Sequence, residues 1–166
     1  MRKRALTCLY IVGFGSFLLF IYNYYTNNII PSEVVSKYIS FRYNTDYNDV
    51  EKNYILLNQM LDETFLNYLK VHKLNGIYLN NYKNNLLKCN ITGCNISNIK
   101  KRNDITVVNA KVTTLLEDGK KNEVQKSDIE LEFYLKQVAW NKYTINYIKY
   151  MSTNIRYLHD SSNHLY

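Results

Sequence analysis

The residues able to do acid–base, nucleophilic or metal chemistry are few in this chain, and their spacing does not assemble them. The 166 residues include three histidines, His72, His159 and His164, and three cysteines, Cys8, Cys89 and Cys94. His72 closes a helical pattern, where capping or surface exposure is its ordinary role. His159 and His164 sit in a polar C-terminal stretch, in which a rigid, water-excluding site is hard to build. Cys89 and Cys94 have no neighbouring His or further Cys, which makes a poor zinc pattern. Were the segment between them one extended strand, their Cα atoms would lie about 16 Å apart, beyond disulfide reach. A bend at Gly93 could bring them together, but nothing requires it, and the default reading is two unpaired thiols. Asp128, Glu130 and Glu132 alternate with apolar residues along one strand. A general base needs a pocket that shifts its pKa, and three like charges on one exposed face read as a solvated surface. No G-x-S-x-G, P-loop, dinucleotide-binding glycine pattern, H-E-x-x-H or C-x-x-C occurs. The sequence thus predicts no enzyme: no catalytic residue, no cofactor and no metal site.

Charge narrows the partners. The formal net charge is +7, and removing Arg2, Lys3 and Arg4 leaves +4. The remaining lysines are scattered singly, apart from Lys100-Lys101-Arg102 and Lys120-Lys121. No stripe follows a phosphate backbone, so direct nucleic-acid binding is not expected.

The feature that dominates the chain is an uncharged run. Arg2-Lys3-Arg4 is followed by Ala5 to Tyr22, in which Leu9, Phe14, Phe17, Leu18 and Phe20 are among ten Leu, Ile, Val and Phe residues. As a helix, eighteen residues at ~1.5 Å each span roughly 27 Å, close to the ~30 Å hydrocarbon core of a bilayer. A cleaved signal peptide would need a shorter core and a small-x-small site, and Asn23-Tyr24-Tyr25-Thr26 is too bulky for one. The three cations ahead of the run place residues 1–4 in the cytoplasm, 5–22 across the membrane and the remainder outside. In a bacterium this is a single-pass inner-membrane protein that meets lipid directly.

The elements that follow are helices and then strands. Residues 23–47 form a juxtamembrane stalk and first helix, with Pro31-Ser32-Glu33 as a helix start. A domain over 48–153 opens with Asn48-Asp49-Val50-Glu51, which has the pattern of a capping box. Asp62 caps a second helix carrying Phe65, Leu66 and Leu69, and Asn75-Gly76 ends it. From Ile105 to Leu116, Val108, Ala110 and Val112 alternate with polar residues. Asp128 to Lys136 is the cleanest strand, with Ile129, Leu131, Phe133 and Leu135 facing inward. Trp140-Asn141-Lys142 is a turn into a last strand, Tyr143 to Met151, and Asn90 to Lys100 makes a weaker first one. Residues 154–166 form a polar tail. The expected architecture is α+β, with helices packed on one face of a curved antiparallel sheet of three to four strands. Tyr134, Tyr143, Tyr147 and Tyr150 on that sheet are the candidate protein–protein surface.

A short basic start, one membrane helix and then VVSKYISFRYNTDYNDVEKNY resemble the VirB8-like components of bacterial type IV secretion and conjugation machines. The strands AKVTTLLEDGKKNEVQKSDIELEFYL and WNKYTINYIKY occupy the corresponding places, so the resemblance runs from Arg2 to about Met151. It implies an NTF2-like fold, a cone of helices against a strongly curved sheet. It also implies a scaffold role, with other membrane components of a secretion complex as partners and a second copy of the chain as a further one. Members of that family carry an Asn-Pro-x-Gly turn before the last strand, associated with their dimer contact. Here the turn reads Asn141-Lys142-Tyr143-Thr144 and keeps only the Asn. The NTF2-like fold also hosts ligand binders and enzymes such as ketosteroid isomerase. A scaffold predicts a filled cone, a tethered ligand-binding module an open apolar cavity, and an enzyme a carboxylate or His inside that cavity.

Overall fold

The computed structural model describes residues 14–72, 74–120 and 122–158. A single helical rod leads into the fold: α1 (residues 14–24), one π-helical turn (Tyr25–Ile29) and α2 (Ile30–Tyr43). The π turn has a local cause in Pro31. A proline inside a helix lacks an N–H and crowds the carbonyl four residues back, and a widened turn relieves that crowding. The backbone N–H of Ile30 bonds the carbonyl of Tyr25, five residues earlier. The next bond in that series, to Thr26, has no donor because residue 31 is proline.

After the rod come β1 (Thr45–Asp46), α3 (Val50–Met60), α4 (Glu63–Val71) and α5 (Leu74–Asn84). Four long strands complete the chain: β2 (Lys88–Arg102), β3 (Ile105–Glu117), β4 (Glu123–Ala139) and β5 (Lys142–Tyr157). All pair antiparallel in the order β1-β2-β3-β4-β5. Bulges interrupt the register of β2–β3 between Ile91 and Gly93 and between Ser97 and Lys100, and three more lie between β4 and β5. Each adds twist, and together they curl the sheet around the helices. Asn98, within one bulge, and Asn103, in the β2–β3 turn, take positive φ, which asparagine tolerates well.

The core fills the concave side. Val35 and Ile39 of α2 are buried against Val108 and Val112 of β3, Leu131, Phe133 and Leu135 of β4, and Ile145 of β5. Tyr38 meets Phe133 edge to face with ring centroids 5.5 Å apart. The inward sets expected on β3 and β4 are therefore the core, and α2 belongs to the folded unit. Gly119 closes the β3–β4 turn where a Cβ would come 2.9 Å from the Cβ of Leu86.

Several expectations are corrected. The sheet has five strands, because Thr45 pairs with Cys89 and Asp46 with Lys88. A two-residue strand leaves no period in a sequence. Asn75-Gly76 ends no helix: α4 stops at Val71 and residue 76 lies within α5. The capping box at Asn48 does not form, since Asp46 Oδ1 accepts the amides of Asn48 and Asp49 at 2.8 and 3.0 Å. Asp62 caps α4 as expected, accepting from the Thr64 amide at 3.0 Å. β5 continues to Tyr157, so residues 154–157 are strand rather than tail.

Of the expected membrane run, Arg2, Lys3, Arg4, Cys8 and Leu9 lie outside the described residues, as do His159 and His164. Residues 14–22 are helical, and Phe14, Phe17, Leu18, Leu19, Phe20 and Ile21 are all exposed. Among the described residues no helix is long and apolar enough to cross a membrane.

Candidate interaction surface

The four sheet tyrosines do not form one patch. Strict alternation from Tyr143 would put 143, 145, 147, 149 and 151 on one face. Bulges between Tyr134 and Leu135 and between Glu130 and Leu131 break that phase on β5. Pairing sets Ile145 opposite Leu135, Ile148 opposite Phe133, Tyr150 opposite Leu131 and Thr153 opposite Ile129. Tyr150 therefore lies on the concave side and Tyr147, opposite Tyr134, on the convex side. Tyr134 and Tyr147 are ring neighbours at 5.8 Å, and Tyr147 also meets Phe65 of α4 edge to face. The Tyr134 hydroxyl donates to Glu132, a bond that holds the phenol pKa up. Tyr147 and Tyr150 are exposed.

Tyr143 is not a surface residue. It is only 5% exposed, and its hydroxyl donates to the carbonyl of Thr26 at 2.9 Å. That is the carbonyl left without a helical donor by Pro31. Burial raises the Tyr143 pKa, which keeps the donor protonated. The carbonyls of Tyr22 and Asn23, in the last turn of α1, accept from the Thr26 hydroxyl at 2.9 and 3.3 Å. Sequence reading missed this clasp. The single Pro in the chain, set in a helical pattern, was the available signal.

The acids of β4 are paired across the convex face. Asp128 accepts from Thr113 at 2.8 Å and Arg156 at 3.0 Å, and Lys111 donates to Glu130 at 3.0 Å. The Thr113 hydroxyl and then the Arg156 guanidinium lower the Asp128 pKa, and the Lys111 ammonium lowers that of Glu130. They form a solvated ladder, as their alternation suggested. Cys89 and Cys94 are both free, the first buried and the second exposed, and burial raises the pKa of each thiol. His72 follows α4 on the surface with its ring 4.4 Å from that of Tyr68. No group of metal-ligating side chains occurs among the described residues.

The cone is not completely filled. A pocket of about 280 Å³ lies between α2, α3, α4 and β5, walled by Tyr38, Tyr54, Phe65, Ile148 and Tyr150, with Arg42 beside them. No carboxylate or histidine lines it. A second space of about 230 Å³, lined by Tyr43, Tyr82, Cys89 and Ile129, opens where α2 ends. Tyr43 stands between the two, its hydroxyl 3.3 Å from that of Tyr150. Burial first, and Tyr150 second, raise its pKa well above the ordinary value. Beyond Tyr43, Tyr150, Met151, Ile155 and Tyr157 of β5 are exposed, and among the described residues that stretch pairs with β4 alone. This half of β5 runs past Met151, where the sequence pattern ended the strand.

Among solved structures, this arrangement matches CagV, a VirB8 homologue of the type IV secretion system (T4SS) from Helicobacter pylori. The match has a TM-score of 0.54 at 14% identity, over 80% of this chain and 100% of that chain. The fold is VirB8-like. No protein-family model and no curated protein matches the sequence. The VirB8-like fold fits the order of helices before strands and the curled sheet that the residues dictate. The turn before β5, where relatives of this fold were expected to carry Asn-Pro-x-Gly, is Trp140-Asn141, and Tyr143 beyond it points into the clasp with Thr26.

Proposed function

We propose that this chain is a membrane-anchored assembly component of a type IV secretion or conjugative transfer machine, acting by protein–protein contact and not by catalysis. The observation that carries the reading is the match of fold over the whole of the CagV chain. Two features of the chain support it. The exposed apolar residues of α1 continue without a break into α2, which is itself core, so an anchor on α1 would hold the domain directly. The pocket under the helices presents tyrosines and an arginine, with no acid or histidine to act as general base. Contact with other membrane components would use the bare half of β5. An edge strand with free backbone groups and exposed Met151, Ile155 and Tyr157 is suited to pairing with a partner's strand. Pairing with a second copy of the chain would use the same edge, since the turn of the expected dimer contact is not present.

The test is site-specific photo-crosslinking from position 157 in native membranes, with crosslinked peptides identified by mass spectrometry. The reading expects peptides from a secretion ATPase, a channel component or a second copy. Crosslinks to none of these would remove it. A tethered ligand-binding module is favoured by one observation, the 280 Å³ pocket. That reading expects a small aromatic acid to raise the melting temperature of the protein, and an Arg42→Ala change to abolish the rise.

A further inference from the structure

One end of the sheet lies beside α1. Two hairpin tips stand there, Asn103-Asp104 between β2 and β3 and Trp140-Asn141 between β4 and β5. Tyr22, the last residue of the apolar run, stacks on Trp140 with ring centroids 6.1 Å apart and planes 17° from parallel. Lys101 Nζ donates to Asn27 Oδ1 at 3.3 Å, tying the other hairpin to the π turn. Both tips are therefore level with the point where the apolar helix leaves the domain. Between them lies an open cleft of about 430 Å³, lined by Lys101 and Lys136 together with Val138 and Trp140. Trp140 is 62% exposed and Val138 is exposed beside it. Lys100, Arg102 and Lys142 surround the tips, and Asp104 is the one acid in the cleft lining.

We propose that this end of the domain lies on the bilayer, with Trp140 and Val138 in the interfacial layer and the lysines against the phosphates of anionic phospholipids. The inference rests on the reading of α1 as an anchor. Tryptophan and tyrosine concentrate where a membrane helix meets water, and Tyr22 and Trp140 occupy that level together. Basic residues within a Debye length of an anionic leaflet add attraction that an uncharged leaflet does not supply. A soluble anion would satisfy the lysines but not the exposed indole and valine beside them. A lipid surface satisfies both, and α1 with Phe14, Phe17 and Phe20 exposed delivers the cleft to it. The domain would then be held flat against the membrane at two places, the helix and the paired tips.

Trp140 is the only tryptophan of the chain, so the full-length protein reports on itself. The experiment reconstitutes it in vesicles of phosphatidylcholine with and without phosphatidylglycerol, the phosphatidylcholine being brominated near the headgroup end of its chains. The expected result is blue-shifted Trp140 emission that loses more than half its intensity to brominated lipid, and loses more when phosphatidylglycerol is present. The double variant Lys101→Glu, Lys136→Glu should abolish the phosphatidylglycerol dependence. Water-like emission, quenched by iodide and indifferent to brominated lipid, overturns the inference. So does a change of emission with inorganic phosphate in detergent that matches the change in vesicles, which would mark a soluble-anion site. An alkaline wash of the same vesicles separates the two ideas. Protein retained while Trp140 stays in water defeats the docking alone, whereas protein washed away defeats the anchor.

Discussion

The contact between the Tyr143 hydroxyl and the Thr26 carbonyl joins the last strand to the π turn between α1 and α2. A buried carbonyl without a partner costs about 1–3 kcal/mol. Tyr143→Phe should therefore lower stability by about that amount in chemical denaturation, with the slope unchanged. Pro31→Ala restores a backbone N–H close to the Thr26 carbonyl. In the double variant the loss from Tyr143→Phe should shrink, and a cycle giving strictly additive effects would show that the two residues do not share that carbonyl. This residue also shows where the sequence was opaque. Tyr143 falls in phase with Tyr147 on a plain alternating strand, and only the bulge between Tyr134 and Leu135 moves them to opposite faces. A bulge depends on the partner strand, so one strand's pattern does not announce it.

Elements with their own local causes were legible in detail. β4 covers a core on one side and shows it as alternation, and Asp62 caps α4 through a contact two residues away. What escaped notice depends on distant partners: β1 exists only because β2 is beside it, and the second half of β5 because β4 runs that far. The convex face of β3, β4 and β5 makes a prediction for acid. Asp128 and Glu130 have folded-state pKa values below their ordinary ones, owing to Thr113 and Arg156 and to Lys111. Their contribution is present above the unfolded-state pKa, about 4 for such groups, and is lost as pH falls through the lowered folded values. Stability against urea should decline as pH falls below about 4. Asp128→Asn with Glu130→Gln should flatten that decline, and an unchanged decline would place its cause elsewhere. A turn supplies a second test at this scale. Gly119→Ala brings a Cβ within 2.9 Å of the Leu86 Cβ, and the β3–β4 connection must shift. An overpacking cost of about 1–3 kcal/mol is expected, read as a lower denaturation midpoint.

At the scale of the whole molecule, α1 and α2 are one rod with two different duties. Val35, Tyr38, Ile39 and Tyr43 of α2 are buried in the core, whereas Phe14, Phe17, Leu18 and Phe20 of α1 are exposed and lie outside it. Removing residues 1–21 should therefore leave the domain folded, because the π turn, Thr26 and everything they clasp remain. The shortened chain should stay in solution without detergent and unfold cooperatively at a midpoint close to that of the full chain. Removing residues 1–29 is a different operation, since it takes away Thr26 and with it the partner of the Tyr143 hydroxyl. Ile30, buried in the core, would become the free end of α2. That chain should lose about 1–3 kcal/mol from the orphaned hydroxyl and should fray at α2. Hydrogen exchange of the α2 amides distinguishes the two truncations: protection retained in the first and lost from the first turns in the second. Equal protection in both would mean that the clasp does not bind the rod to the sheet. Loss in both would mean that α1, for all its exposed phenylalanines, is structural in the fold and not merely attached to it.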